Sequence, residues 1–201
     1  MKELLNDDTG ELYLIENFDS KRDREVVNWF VVDSLYQDTI KLFGKEYLQP
    51  RLLRFEGDPD VSYIYSRKKY TTESWSAVSL EIRTLLKRYL DVEFNSVLIN
   101  LYRDGADSMG LHADNEPELG DCPTIASLSY GAEREIIFKE NNGDRKLRVL
   151  LPHGSLLIMK GRLQHCWKHE IRKTKKPLVP RLNFTFRRIT RLNEELLFYS
   201  N

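Results

Sequence analysis

The sequence predicts an α+β fold in a single domain, an antiparallel β-sandwich or barrel with two helices packed outside it. Three observations carry this prediction. Amphipathic helical patterns fall ahead of residue 91, short alternating apolar runs separated by turn chemistry follow, and no internal repeat or low-complexity stretch interrupts the chain.

The first helix is expected over about residues 20 to 33. Ser20 followed by Asp23 resembles a capping box, and Val26, Val27, Phe30 and Val31 recur at helical spacing. From Thr72 to Leu90, Val78, Ile82, Leu85, Leu86, Tyr89 and Leu90 form one stripe, with Glu81, Arg83, Lys87 and Arg88 mostly opposite. Strands are expected at Phe94 to Arg103, Thr124 to Tyr130, Arg134 to Lys139, Lys146 to Leu151 and Ser155 to Met159. Asn142-Gly143-Asp144 and Pro152-His153-Gly154 supply turns between them. Arg181 to Arg187 alternates with period two throughout: Leu182, Phe184 and Phe186 face a core, while Arg181, Asn183, Thr185 and Arg187 share the other face.

Composition narrows the class. With 201 residues, 41% hydrophobic and 31% charged, the chain is globular rather than disordered or fibrous. No apolar run approaches the roughly 18 to 20 residues that span a bilayer, and the opening Met1-Lys2-Glu3-Leu4-Leu5 lacks the pattern of a secretory signal. No membrane partner is expected, and an intracellular location is: cytoplasmic in a bacterium, nuclear in a eukaryote. Cys122 and Cys166 read as free thiols in small core or surface positions, consistent with a reducing compartment.

Charge sums to zero, 31 basic residues against 31 acidic, whereas domains that hold phosphates by bulk charge usually have a pI well above neutral. The sum hides a polarised chain. Lys160 to Arg191 holds eleven basic residues and one acid, a net of +10, and Met1 to Glu25 holds eight acids against four basic residues. Taken alone, Arg172-Lys173-Thr174-Lys175-Lys176-Pro177 reads as a solvated loop.

Four histidines are present: His112, His153, His165 and His169. In His112-Ala113-Asp114 the imidazole and carboxylate are two residues apart, so extended backbone sends both to one face. Two imidazoles and one carboxylate on one face of an ion leave positions open, which suits Fe(II) and dioxygen. The second imidazole is His165 or His169, four apart on what reads as one strand face, and the residues alone leave the choice open. His153 reads as a structural turn residue. Arg181 and Arg187 on one face, with Asn100 and Tyr102 repeating the polar pattern on a second strand, read as a lined pocket. Guanidinium binds carboxylate bidentately, so two arginines point to a dicarboxylic acid.

These stretches together resemble the AlkB family of Fe(II)- and 2-oxoglutarate-dependent nucleic-acid dealkylases. The resemblance runs from about Phe43 to Ile189, through Phe43-Gly44-Lys45, Tyr63-Ile64-Tyr65, Leu98 to Tyr102, His112 to Glu116, Ile125 to Ser129, His153 to Leu157, and Arg181 to Arg187. It implies a double-stranded β-helix (jelly-roll) core with N-terminal helices packed outside. It also implies an N-terminal segment 1–20 ahead of one dioxygenase domain, 21–201, with a nucleotide-recognition region at about 40–72. By position it assigns iron to His112, Asp114 and His169, choosing His169 over His165. It assigns 2-oxoglutarate to Asn100, Tyr102, Arg181, Asn183, Thr185 and Arg187, the arginines meeting the two carboxylates.

On the substrate side, Asn115 and Glu116 would face the base, and family members often have Asp at the first of these positions. Tyr65, in the Tyr63-Ile64-Tyr65 stretch, and the His112 ring would sandwich the flipped base, a stacking worth roughly 1–3 kcal/mol. Phe43-Gly44-Lys45 would enter the duplex as a wedge, which favours duplex DNA over single strands. Lys41, Lys45 and Arg51 lie near that wedge, and Arg67-Lys68-Lys69 with the Lys173 to Lys176 loop would meet phosphates. The implied activity is O2-dependent oxidative demethylation of 1-methyladenine and 3-methylcytosine lesions in DNA, releasing formaldehyde, succinate and CO2, by a monomer. The alternatives are the same chemistry on RNA, or a nucleic-acid-binding module with a silent site.

Overall fold

Two antiparallel sheets face one another, and everything the site needs hangs from their inner surfaces. The computed structural model describes residues 1–22, 34–42, 45–59, 61–65, 68–176 and 178–190. Strands β1 (Lys2–Asp7), β2 (Gly10–Ile15), β3 (Thr39–Leu42), β4 (Lys45–Leu48), β5 (Leu52–Gly57), β6 (Ser62–Tyr65) and β7 (Lys68–Thr71) precede helix α1 (Ala77–Leu90). Then come β8 (Ser96–Tyr102), β9 (Met109–His112), β10 (Ile125–Gly131), β11 (Arg134–Glu140), β12 (Lys146–Leu151) and β13 (Ser155–Lys160). A helical turn α2 (Leu163–Cys166), β14 (Trp167–Ile171) and β15 (Arg181–Arg187) complete the described elements. The major sheet has the order β1-β2-β13-β10-β15-β8-β5 and the minor sheet β12-β11-β14-β9, while β3-β4 and β6-β7 form separate hairpins. This is the jelly-roll arrangement expected.

Strand register follows from the apolar alternation. On β15, Leu182, Phe184 and Phe186 are fully buried in a cluster with Ile99, Leu101, Leu128, Ile82 and Leu86, so one face of the major sheet is sealed by α1. A second cluster lies between the sheets, with Leu12, Leu14, Ile125, Leu157 and Met159 from one side and Ile136, Phe138, Val149 and Trp167 from the other. Helix α1 begins later than the periodicity suggests, because Ser76 caps it by accepting from the Ser79 N–H. It ends at Asp91 in the left-handed region with Lys87 and Arg88 in the last turn, where positive charge favours the helix dipole. Leu80 and Tyr89 stay exposed on its outer side.

The helix expected near residues 20 to 33 lies outside the described residues from residue 23 onward. The first residues, which the AlkB resemblance leaves out, form the β1-β2 hairpin, and β2 pairs with β13 in the major sheet. Strands thus stand first as well as last among the described elements. The hairpin is fastened to the minor sheet by Arg145, which pairs with Asp7 at 2.6 Å and with Glu140, and by Trp167 Nε1 donating to Thr9 Oγ1 at 2.9 Å. Cys122 is exposed and Cys166 half-buried, and both thiols are free. Among the described residues no helix is long and apolar enough to cross a membrane.

Candidate active site

The polar face of β15 is not solvated. Arg181, Asn183, Thr185 and Arg187 are all buried, because their face of the major sheet looks toward the minor sheet across a cavity. The pairing of β10, β15 and β8 continues this polar strip sideways: Asn183 stands opposite Ser129 on one neighbour and Asn100 on the other, and Arg181 stands opposite Tyr102. Asn183 Nδ2 donates to Ser127 Oγ at 2.9 Å, and Thr185 Oγ1 donates to Asn183 Oδ1 at 3.0 Å. These bonds lock the strip before any ligand arrives.

Arg181 anchors one end. Its Nη2 donates to Ser129 Oγ at 2.9 Å, and its guanidinium carbon lies 5.1 Å from the Tyr102 ring centroid. Nε and Nη1 are buried with no hydrogen-bond partner among the described residues. Burial pulls the guanidinium down to about 10, with Tyr102 opposing the shift. A buried cation with two idle donors in a cavity is an anion site, and the fork geometry of guanidinium fits carboxylate.

At the cavity's other end lies a cluster that could hold a metal ion. His112, the last residue of β9, stands directly opposite His169 of β14 in the register, with ring centroids 4.3 Å apart. His112, Asp114 and His169 each offer a ligand atom, and these atoms all lie within 4.8 Å of one another. The His112 Nδ1–H donates to the Gly110 carbonyl at 2.8 Å, which leaves Nε2 as the ligand atom, 3.8 Å from Asp114 Oδ1. Burial pushes His112 down, and burial together with neighbouring His112 pushes His169 down to about 3, so both imidazoles are neutral and able to ligate. Burial alone would raise Asp114, but Arg187 and the two histidines outweigh it and hold the carboxyl well below its ordinary range. Arg187 Nη2 donates to Asp114 Oδ2 at 2.8 Å, so one of the two arginines expected for the co-substrate also braces the carboxylate of the cluster.

The structure corrects two expectations. His165 is not on a strand with His169: it lies in the α2 turn, exposed, its Nε2 in close contact with the Asp121 carbonyl, and it is not part of the cluster. A one-turn helix ahead of β14 breaks the period-two reasoning that placed both on one face. Arg51, grouped by sequence with the positive loop around Phe43, is buried in the cavity and donates from Nε to Asn100 Oδ1 at 2.8 Å. It follows Pro50 directly ahead of β5, and nothing local in its sequence distinguishes it from a surface cation. Gln164 was also missed. Its Oε1 accepts from the Asp114 N–H at 3.0 Å, a contact across fifty residues that local pattern cannot reveal.

His153 keeps its structural reading: Nδ1 accepts from the Gly131 N–H at 3.0 Å, and the ring packs edge-on against Tyr130. On the substrate side, Lys45 and Asn115 are exposed and Glu116 is partly buried. Tyr63 and Tyr65 lie on β6. Phe43 and Gly44 fall outside the described residues. In the basic loop Arg172, Lys173, Lys175 and Lys176 are exposed.

Residues 20–187 match the 2OG-Fe(II) oxygenase superfamily. The chain belongs to that superfamily. It is 40% identical over 153 residues to the alpha-ketoglutarate-dependent dioxygenase alkB homolog 3 of Bos taurus, covering 71% of this chain and 53% of that one. It is 37% identical over 158 residues to the DNA oxidative demethylase ALKBH2 of Homo sapiens, covering 75% of this chain and 60% of that one. These relatives agree with the AlkB resemblance carried by the motifs. The chain spans about half the length of the AlkB homolog 3 relatives it matches. A solved structure described as "The structure of OsALKBH1" superimposes with a TM-score of 0.65 at 16% identity, over 93% of this chain and 100% of that one, which supports the shared fold.

Superfamily membership implies Fe(II) with 2-oxoglutarate and O2, and the residues present fit that set. Two neutral imidazoles and a carboxylate converge within ligating distance of one another. In the same cavity, Arg181 has two buried donors without a partner among the described residues, which fits a carboxylate.

Proposed function

We propose that this chain carries out oxidative demethylation of N-alkylated bases in DNA by direct reversal, on lesions of the 1-methyladenine and 3-methylcytosine type. The observation that carries the reading is the buried guanidinium of Arg181, whose Nε and Nη1 have no hydrogen-bond partner among the described residues, in one cavity with the His112, Asp114 and His169 cluster. In this reading those three residues hold Fe(II). Arg181 takes one carboxylate of 2-oxoglutarate and Arg187 the other, with Asn100, Tyr102, Asn183 and Thr185 completing the pocket. When bound, iron and 2-oxoglutarate supply O2-dependent hydroxylation of an N-methyl group, which leaves as formaldehyde while 2-oxoglutarate becomes succinate and CO2.

The chain's own residues do the positioning. The Gly110 carbonyl holds the His112 proton on Nδ1, so Nε2 faces the cluster. Arg187 keeps Asp114 ionised and aimed. The apolar walls from Leu98, Ile136 and Ile171 exclude water from the cavity, which strengthens each charge contact inside. A base must leave its stack to reach this depth. In this reading Asn115 and Glu116, which follow Asp114, meet the base, with Tyr63 and Tyr65 of β6. Phe43-Gly44-Lys45 serves as the wedge that favours duplex DNA, and the exposed cations of the 172–176 loop take phosphates. The relatives named for DNA demethylation support DNA as substrate.

The test incubates the protein with Fe(II), 2-oxoglutarate and oligonucleotides carrying 1-methyladenine, as single-stranded DNA, duplex DNA and RNA, and follows formaldehyde and oligonucleotide mass. Methyl loss fastest from duplex DNA is expected. Methyl loss from RNA alone would move the activity to RNA, and loss from none would leave a binding module with a silent site.

A further inference from the structure

Asp114 is held differently from its two neighbours in the cluster. His112 and His169 sit on paired strands, whereas Asp114 lies two residues beyond the end of β9, where no strand ladder fixes the backbone. Arg187 grips its carboxylate; its main chain is gripped by one side chain. The Asp114 N–H donates to Gln164 Oε1 at 3.0 Å, and Gln164 Nε2 donates to Met159 Sδ at 3.4 Å. Gln164 is only 2% exposed. A backbone N–H only donates and a thioether only accepts, so the carboxamide has one orientation that satisfies both ends. It acts as a strut between β13 and the Asp114 backbone.

The base of the strut is rigid. In α2 the His165 and Cys166 N–H groups both donate to the Arg162 carbonyl, at 2.9 and 3.0 Å, and the Trp167 N–H closes onto Leu163. Leu163 is buried and packs so closely on the β1-β2 turn that a Cβ at Gly10 would lie 2.7 Å from the Leu163 Cα. Five residues after Gln164 the chain delivers His169. One short segment therefore supplies one member of the cluster and braces the backbone of another.

We propose that Gln164 is a positioning residue of the metal centre: its carboxamide oxygen fixes the Asp114 backbone and with it the aim of the carboxylate toward the point shared with His112 and His169. Gln164 does not touch the metal. The inference rests on those three residues being the metal ligands. Without the acceptor a buried N–H is left unsatisfied and the loop relaxes. Losing an outer partner of this kind typically weakens metal binding 10–100-fold.

The test titrates Mn(II) into the metal-free protein by calorimetry, without nucleic acid, alongside urea unfolding of each metal-free variant. Gln164→Leu and the smaller Gln164→Ala should weaken Mn(II) binding about 10–100-fold, while Gln164→Glu, which keeps an acceptor oxygen, should stay within about threefold of the parent, well short of that loss. A folded Gln164→Leu or Gln164→Ala that binds Mn(II) as the parent does overturns the proposal, even if its unfolding midpoint has dropped, since that is what a purely structural glutamine gives. Asp114→Ala separates the two levels. Binding lost in Asp114→Ala but kept in Gln164→Leu and Gln164→Ala overturns only the role of Gln164. Binding unchanged in Asp114→Ala overturns the ligand assignment and this inference with it.

Discussion

Replacing Arg181 with Met separates two consequences of burying a cation whose donors are only partly satisfied. Arg181 is 2% exposed, with one hydrogen bond to Ser129 and two idle donors. Burial pulls its guanidinium well below its ordinary value, to about 10, and at about 1.4 kcal/mol per pH unit this corresponds to about 3 kcal/mol against the charge. Met fills comparable space without charge. Set against about 1 kcal/mol for the lost Ser129 bond, the ligand-free protein should gain about 1–3 kcal/mol of stability. Affinity for a dicarboxylate should move the other way, since removing one partner of a buried charge pair costs about 2–5 kcal/mol. Urea unfolding of parent and Arg181→Met, with and without 2-oxoglutarate and with Mn(II) replacing Fe(II) to prevent turnover, reads both effects. At a hundredfold excess over the parent's Kd the parent gains about 2.7 kcal/mol from ligand, while the variant should gain less than about 1 kcal/mol. An Arg181→Met protein that loses several kcal/mol yet keeps the full ligand increment would refute the assignment of Arg181 as the carboxylate anchor.

Asp114→Ala should abolish turnover and leave oligonucleotide affinity, measured by fluorescence anisotropy, close to the parent; unchanged turnover means the metal lies elsewhere. Phe43→Ala should slow duplex repair more than single-strand repair in timed assays, and equal slowing of both would make Phe43 a core residue rather than a wedge. Lys173, Lys175 and Lys176 changed together to Ala should flatten the dependence of log affinity on log salt by about two to three units of slope for duplex DNA, whereas an unchanged slope would return the loop to solvent. His169, pushed down to about 3 from an ordinary 6.5, stays neutral in the fold while the unfolded chain takes up a proton. Stability of the metal-free protein is therefore full above pH 6.5 and falls by about 1.4 kcal/mol per pH unit for that one proton as pH drops toward 3. His112 adds loss in the same direction, and Asp114 begins to add its own below about pH 3.8. A flat urea-unfolding profile between pH 6.5 and 5 would show these imidazoles to be solvated.

The alternation of Arg181 to Arg187 was readable because a strand buried on both faces, one apolar and one polar, still carries period two. The same rule misplaced His165, since a single helical turn has no sequence length in which to show a period of its own. The N-terminal hairpin went unread for a related reason. Lys2–Asp7 is an edge strand with an exposed, charged surface, and such strands resemble loops in composition. The zero net charge argued against nucleic acid as a whole-chain sum, but the exposed cations concentrated at 172–176, and the buried Arg51, Arg181 and Arg187, show that location decides what each charge can bind.

The sequence by itself determined the strand-rich core, the candidate ligands His112 and Asp114, and the polar face of β15, because each is written within a few adjacent residues. Residue spacing left His165 and His169 open and the family resemblance chose His169; tertiary structure supplies the physical reason, since the pairing of β9 with β14 sets His169 opposite His112. It also decided that Arg51 faces the cavity, that Arg187 braces Asp114, and that Gln164 reaches the Asp114 backbone. Those contacts join residues about fifty or more positions apart, and register between distant strands is fixed by packing of the whole sheet, which no local spacing encodes.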